Sequence, residues 1–152
     1  MLNKEVYLTF NEIKKIIERN KEEVLFISGG LSDVDIFEME KELGVRFPIE
    51  YRMFLKEYGA SSVLGITIFG VAAPPYPSVV EITKEYRRYG LPKNYVVYEN
   101  CDEYVNCIDV DYDSAKYGGT ISWSYVDKIA YYDSNNFFDS YLMELRESED
   151  NL

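Results

Sequence analysis

The fold is decided between residues 32 and 59, which read SDVDIFEMEKELGVRFPIEYRMFLKEYG. Ser32 is a typical N-cap, and the apolar residues that follow recur at helical spacing as far as Gly44, a typical left-handed residue after a helix. Pro48 begins a second run with the same apolar spacing, which ends at Gly59. The stretch therefore predicts two helices joined by a short extended link, with Pro48 at the first position of the second helix.

The segments on either side predict further helices and a sheet. Thr9 and Glu12 have the spacing of a capping box, which predicts an N-terminal helix over residues 9–20. Beyond residue 94 the apolar stretches become short and turn residues recur, which is typical of antiparallel strands. The tail 146–152 is polar and is expected to fray. The elements predicted after residue 59 are a β-rich stretch at 63–71, a helix at 78–89, strands at 95–99, 103–110, 120–125 and 128–132, and a closing helix that begins at Asn135 or Asn136 and ends at Leu145.

This order of elements indicates the fold class. Helices first, then consecutive strands and one final helix, are typical of an α+β fold in which helices flank an antiparallel β-sheet. The 152 residues suit one domain, and 47% of them are hydrophobic, which is enough for a core without metal or disulfides. We therefore expect a single domain over residues 1–152.

Composition excludes several classes of function. The chain contains no histidine, which excludes Ser–His–Asp and Cys–His nucleophiles and zinc sites built on histidine. The net charge of −11 argues against nucleic-acid binding, which relies on Lys and Arg. Cys101 and Cys107 lack the spacing of a redox or zinc motif, so we expect free thiols in a reducing compartment. Because no signal segment or long apolar run is present, we expect a cytoplasmic protein without a membrane span.

Motifs that carry chemistry in other proteins are incomplete in this sequence. Asp109 begins a run that resembles a calcium loop, but Ser114 and Thr120 stand where that loop needs Gly and Glu. The paired glycines lack the spacing of a phosphate-binding loop. Glu40 lies among apolar residues of a predicted helix. It is either the acid of a carboxylate-dependent hydrolase or, as we favour, a buried Glu paired with an Arg or a backbone donor. We predict no catalytic residue, cofactor or metal.

The acidic residues are concentrated in the strand region. Residues 95–139 contain nine Asp or Glu against two Lys, together with eight Tyr and the only Trp. Tyr and Trp are enriched at the centres of interfaces, and clustered carboxylates steer a basic partner. The alternative interpretation is that the aromatic residues face inward and the acids are only solvated. Tyr112 is a further candidate anchor, which becomes core if its neighbouring acids point outward from one strand. We predict a protein-binding surface that includes Glu99, Asp102, Glu103, Asp109, Asp111, Asp113, Trp123 and Tyr125.

The stretch quoted at the start resembles the signature of the SUKH superfamily. That signature reads approximately I-x-x-x-E-x-x-L-G-x-x-[LF]-P-x-x-Y-x-x-F-L, and the chain matches it from Ile36 to Leu55. Residues 68–70 are similar to a strand of the family that ends in Gly, and residues 136–142 are similar to its closing helix. The resemblance covers about residues 32–145. The matched signature residues are Ile36, Glu40, Leu43, Gly44, Phe47, Pro48, Tyr51, Phe54 and Leu55.

This resemblance implies an α+β fold and a function in toxin immunity. Many bacterial members are immunity proteins that bind and block the toxin domain encoded beside them, and these toxins are commonly nucleases. The whole chain looks most like the YobK-type members, which pair with LXG-type toxins. Together with the charge pattern, the resemblance favours stoichiometric occlusion of a toxin's basic active site. A regulatory or scaffolding adaptor is the alternative. Whether the toxin cuts RNA or DNA, and whether the chain forms a homodimer, stay open.

Overall fold

The computed structural model describes residues 3–152 of the chain. These residues contain five helices and seven strands, joined by turns and loops. The helices are α1 (Lys4–Arg19), α2 (Asp33–Leu43), α3 (Ile49–Tyr58), α4 (Val79–Arg88) and α5 (Phe137–Asp150), with a single 3-10 turn at Lys21–Glu23. The strands are β1 (Val24–Ile27), β2 (Ser61–Val63), β3 (Ile66–Ile68), β4 (Tyr95–Asn100), β5 (Val105–Asp109), β6 (Thr120–Ser124) and β7 (Ile129–Ser134).

The strands form two antiparallel sheets in simple chain order. β1, β2 and β3 pair in that order in one sheet, and β4 to β7 pair consecutively in the other. The Phe69 N–H, just after β3, donates a hydrogen bond of 2.8 Å to the Tyr98 carbonyl of β4 and thereby joins the two sheets. Helices pack against both sheets, which confirms the predicted α+β fold with antiparallel strands flanked by helices.

The helix pair α2–α3 follows the sequence signals closely. The Ser32 hydroxyl accepts a hydrogen bond from the Asp35 N–H, and the Asp35 carboxylate accepts one from the Ser32 N–H, which forms a complete capping box. Gly44 ends α2 with φ of +69°, a conformation that favours glycine. Pro48, predicted as the first helical residue, is the N-cap of α3 instead, because its ψ of 157° is extended.

The N-terminal helix is longer than predicted. It begins at Lys4, where the Asn3 side chain accepts a hydrogen bond of 3.2 Å from the Val6 N–H. Thr9, the predicted cap, lies inside the helix. The prediction was wrong because Asn is as good an N-cap as Thr, and the helical apolar spacing already includes the half-buried Val6.

The C-terminal tail is ordered, contrary to the prediction that residues 146–152 fray. Helix α5 continues to Asp150. The Glu149 carboxylate accepts hydrogen bonds of 2.8 and 2.7 Å from the Arg19 guanidinium and one of 2.6 Å from the Asn20 amide, at the end of α1. These hydrogen bonds lower the pKa of Glu149 to about 2. The Ser148 hydroxyl donates a further bond of 2.6 Å to the Leu64 carbonyl.

The core is centred on the Phe137 ring at the start of α5. This ring lies edge-on 5.4 Å from Tyr51 and 5.5 Å from Phe54 of α3, and 5.1 Å from Tyr98 of β4, measured between ring centroids. All four side chains are fully buried. The Tyr51 hydroxyl also donates a hydrogen bond of 2.5 Å to the Phe69 carbonyl. The same aromatic cluster therefore holds α3, α5 and the four-stranded sheet together.

The contacts of the tail give a first prediction. We expect Glu149→Ala to lower the midpoint of thermal unfolding, because it removes every hydrogen bond that α1 makes to the end of α5 through this carboxylate. Asp150→Ala is the matched control, since it removes an exposed acid from the same helix end. Differential scanning calorimetry of the two variants makes the comparison. Equal midpoints would show that the contact between α1 and the end of α5 does not stabilise the fold.

Candidate partner-binding surface

The four-stranded sheet is a meander, and this topology sorts the predicted acidic residues. In consecutive antiparallel strands, successive connections lie at opposite ends of the sheet. The β4–β5 turn at 101–104 and the β6–β7 turn at 125–128 therefore lie at the same end, and the β5–β6 connection at 110–119 lies at the other. The acids that the sequence groups into one surface are thus divided between two ends of the sheet.

The first end combines acids with exposed apolar side chains. We call it the hairpin-end surface. Tyr104 and Tyr125 are each 41% exposed, and Val126 is 71% exposed. Within residues 3–152, none of its acids takes part in an ion pair. The surface consists of Asp102, Glu103, Tyr104, Tyr125, Val126 and Asp127; the remaining exposed residue of the two turns, Lys128, directs its ammonium to the Tyr89 carbonyl.

Packing and backbone geometry hold both turns of the hairpin-end surface. The Tyr125 ring lies 6.2 Å from the Tyr86 ring and 5.8 Å from the Tyr89 ring at the end of α4. Asp102 adopts a left-handed φ of +67°, and its N–H donates a hydrogen bond of 2.9 Å to the Asn100 side chain. In the other turn the Lys128 ammonium donates to the Tyr89 carbonyl. The exposed side chains are therefore presented by turns of defined shape.

Three residues of the predicted surface are buried and cannot contact a partner there. Trp123 is 2% exposed, because its indole packs edge-on 6.4 Å from the Tyr86 ring, beneath the hairpin. Asp109 is 4% exposed and accepts hydrogen bonds of 2.9 Å from the Asp111 N–H and the Ser114 hydroxyl, which shape the β5–β6 connection. Glu99 is 7% exposed. The sequence did not separate these residues from the exposed acids because burial depends on which helices cover the sheet.

Asp111 and Asp113 are exposed but lie at the opposite end of the sheet. Tyr112 between them is also exposed, at 62%, and the Arg46 guanidinium lies 4.1 Å from its ring centroid. The condition under which Tyr112 would be core is not met, because residues 111–113 form a loop and not a strand, so their side chains do not alternate. Asp111 lines a groove of 1180 Å³ that several cations also line, which offsets its charge. Those cations are Lys41, Arg46, Arg52 and Lys93.

Exposed side chains of β7 lie beside the hairpin-end surface and are not among the residues predicted to bind a partner. Ile129 is 46% exposed, and Tyr131 and Tyr132 are each 57% exposed. The predicted order of the strands could have indicated this exposure. The last strand of a meander forms an edge of the sheet and is open to solvent on more than one side. β7 begins directly after the β6–β7 turn, so these side chains extend the hairpin-end surface along the sheet edge.

Glu40 is buried and hydrogen-bonded on both carboxylate oxygens. Its carboxylate accepts hydrogen bonds of 2.7 Å from the Phe47 N–H and 2.6 Å from the Arg52 guanidinium, and the residue is 7% exposed. The favoured interpretation, a buried Glu paired with an Arg and a backbone donor, is confirmed. The carboxylate fixes the link between α2 and α3.

Two acidic side chains, the buried Glu99 of β4 and the half-buried Glu144 of α5, lie next to each other. The Glu144 Oε1 atom is buried and has no hydrogen-bond partner within residues 3–152. Burial, followed by the contact with Glu99, raises the pKa of Glu144 to about 9, and burial also raises the pKa of Glu99.

The fold and the family agree. The structure defines an α+β protein with two antiparallel sheets whose exposed sheet end is acidic and aromatic. The family model described as SMI1-KNR4 cell-wall, SUKH_5, matches residues 11–147. The chain therefore belongs to the SUKH superfamily, as the signature residues indicated. No helix within residues 3–152 has the length and apolar character that a membrane span requires.

Among solved structures, the chain is similar to a protein from Pseudomonas syringae pv. tomato. The TM-score is 0.59 and the sequences are 18% identical. The match covers 74% of this chain and 84% of the other. At this identity the similarity supports the fold alone.

The environment of Glu40 gives a second prediction. We expect Glu40→Ala to reduce the free energy of unfolding by about 3–5 kcal/mol, because it leaves the half-buried Arg52 guanidinium and the buried Phe47 N–H without their acceptor. Glu42→Ala is the control on the same helix; its exposed pair with Lys84 is worth about 1 kcal/mol or less. Urea titration followed by circular dichroism measures both. Similar small losses of stability in the two variants would contradict the structural role of Glu40 and leave the hydrolase hypothesis as the alternative.

The carboxyl pair gives a third prediction, on pH dependence. Because the pKa of Glu144 is higher in the folded chain than in the unfolded chain, the unfolded chain releases this proton first as pH rises. The contribution of Glu144 to stability is therefore complete below pH 4.5, the ordinary pKa of Glu, and is lost as pH rises toward 9. Glu144→Gln keeps a donor for Glu99 but does not titrate. We expect this variant to lose less stability than the wild type between pH 5 and about 9 in urea titrations at several pH values. Parallel curves for the two proteins would contradict the raised pKa of Glu144.

Proposed function

We propose that this protein is an immunity protein that binds the toxin domain encoded beside it and blocks that domain without turnover. Membership of the SUKH superfamily supports a partner-binding role. The hairpin-end surface carries the more specific proposal, because it places unpaired acids and exposed aromatic side chains of two turns at one end of the sheet. This combination suits a basic protein partner.

The charges and the apolar side chains of this surface have different roles in binding. Asp102, Glu103 and Asp127 have no cationic partner within residues 3–152, so their field extends into solvent and speeds encounter with a cationic surface. Tyr104 and Tyr125 provide large side chains that lose little entropy when they are buried in a contact. The acids therefore steer the partner, and the aromatic rings hold it.

We further propose that the partner is a nuclease. A nuclease holds phosphates in a cleft lined by Lys and Arg, and a row of carboxylates can occupy that cleft in place of the nucleic acid. The net charge of −11 supports the same idea, because it repels nucleic acid from the blocked cleft. Inhibition is then stoichiometric occlusion.

The two ends of the sheet offer a matched test. The partner is the C-terminal domain encoded by the adjoining toxin gene. We expect the triple variant Asp102→Asn, Glu103→Gln and Asp127→Asn to slow association by about tenfold or more at low salt, and to weaken its salt dependence. The control variant Asp111→Asn with Asp113→Asn removes exposed acids from the other end of the sheet. Stopped-flow fluorescence at several salt concentrations measures both rates.

Survival of cells that express the toxin domain provides the second readout. The control variant is expected to protect as well as the wild type, and the triple variant is expected to protect less. If the triple variant retains the wild-type rate and the control variant loses it, the surface lies at the other end of the sheet. If the wild-type chain neither binds the toxin domain nor protects the cells, the immunity function itself is refuted.

A further inference from the structure

Strand β7 is an open edge of the four-stranded sheet. Within residues 3–152 it pairs only with β6. The opposite edge strand, β4, is linked to the first sheet through the hydrogen bond from the Phe69 N–H to the Tyr98 carbonyl. The outward N–H and C=O groups of β7 therefore form the one backbone row of this sheet, in the described part of the chain, that has no neighbour on its far side.

The exposed part of β7 lacks most of the features that protect edge strands. Proteins usually block such an edge with proline, lysine, a bulge or a covering element. Residues 129–132 read IAYY, with no proline and no charge. All four are exposed, and they pair in continuous register with residues 121–124 of β6. The register shifts only after Tyr132, where Asp133 is the extra residue of a bulge.

We propose that β7 binds an extended segment of the toxin partner, which adds a fifth strand to the sheet and places its own backbone against residues 129–132. This inference rests on the proposed immunity function and gives the mode of binding. Strand addition satisfies the outward backbone groups by main-chain hydrogen bonds, and side chains on the two faces of the edge provide selectivity. Tyr131 and Tyr132 are consecutive, so their rings lie on opposite faces of the strand. Each ring can therefore pack against a different face of an added strand.

Charge decides between a toxin segment and a second copy of this chain as the occupant. Two copies of a protein with a net charge of −11 repel each other, which opposes self-pairing at this edge. Asp127, two residues before the strand, and Asp133 near its end are both exposed; the Lys128 ammonium between Asp127 and the strand donates to the Tyr89 carbonyl, and the Asp133 carboxylate accepts hydrogen bonds from Thr120 and Ser140. A segment with Lys or Arg near its ends and small or apolar residues between them is complementary to this edge. The edge is also continuous with the hairpin-end surface.

Hydrogen–deuterium exchange of the full chain, alone and with the toxin domain from the adjoining gene, tests the proposal. We expect the complex to slow exchange of the backbone amides in 129–133, because the outward N–H groups acquire acceptors. Contact through side chains at the turns alone would protect only 101–104 and 125–128. A complex with that second pattern overturns strand addition and leaves the immunity function intact. If no complex forms, the immunity function fails and strand addition fails with it.

Proline substitutions separate the backbone of the edge from its side chains. Successive residues of an edge strand direct their N–H groups alternately toward the neighbour strand and away from it. Of Ala130→Pro and Tyr131→Pro, one therefore removes a bond to β6, and the other removes only an outward donor and is tolerated. Thermal unfolding identifies the tolerated variant, and Ala130→Ser or Tyr131→Phe at the same position is its matched control.

We expect the tolerated proline variant to weaken toxin binding by about tenfold or more in calorimetry, because it removes a donor and its ring obstructs an added strand. The matched control is expected to bind within about twofold of the wild type, since it keeps the N–H. Should both proline variants unfold, the exchange pattern of the wild-type complex decides alone. A folded proline variant that binds like its control overturns the proposal. Sedimentation of the free chain as a dimer that this variant dissociates would assign the edge to a second copy instead.

Discussion

The edge-on contacts of the Phe137 ring are the interaction on which the rest of the structure depends. One buried side chain contacts α3 through Tyr51 and Phe54 and contacts β4 through Tyr98. These contacts hold the helical first half of the chain against the four-stranded sheet of the second half. Without them, α2 would keep its capping box, but these ring contacts would no longer set the position of the meander relative to α2 and α3.

Because the helices are held in this way, one part of the sheet is covered and another is free. Tyr86 of α4 packs against Trp123, and Ser140 of α5 hydrogen-bonds to Tyr98, so the middle of the sheet is buried. The β6–β7 hairpin extends beyond this cover, and β7 is exposed along most of its length. The same packing that builds the core therefore leaves a sheet end and a sheet edge available to a partner.

The acidic character of the chain has two separate origins. Glu40, Glu99 and Asp109 are buried and hydrogen-bonded, and they shape the α2–α3 link, the sheet under α5 and the β5–β6 connection. Asp102 and Asp127 are exposed on the turns and make no ion pair within residues 3–152. A charge count along the sequence adds these groups together, although only the second can act at a distance. The proposed surface is accordingly smaller than the acid-rich segment suggested.

Local signals in the sequence determined the elements and the family. These signals include the Ser32 cap, Gly44 and the apolar spacing of α2 and α3. Each acts within a few residues, so it can be recognised in the sequence before any packing is known. The burial of Trp123 and the order of the tail required the tertiary structure. Each of these depends on contacts between residues far apart in the chain, such as Arg19 with Glu149, and no short-range pattern encodes such a contact.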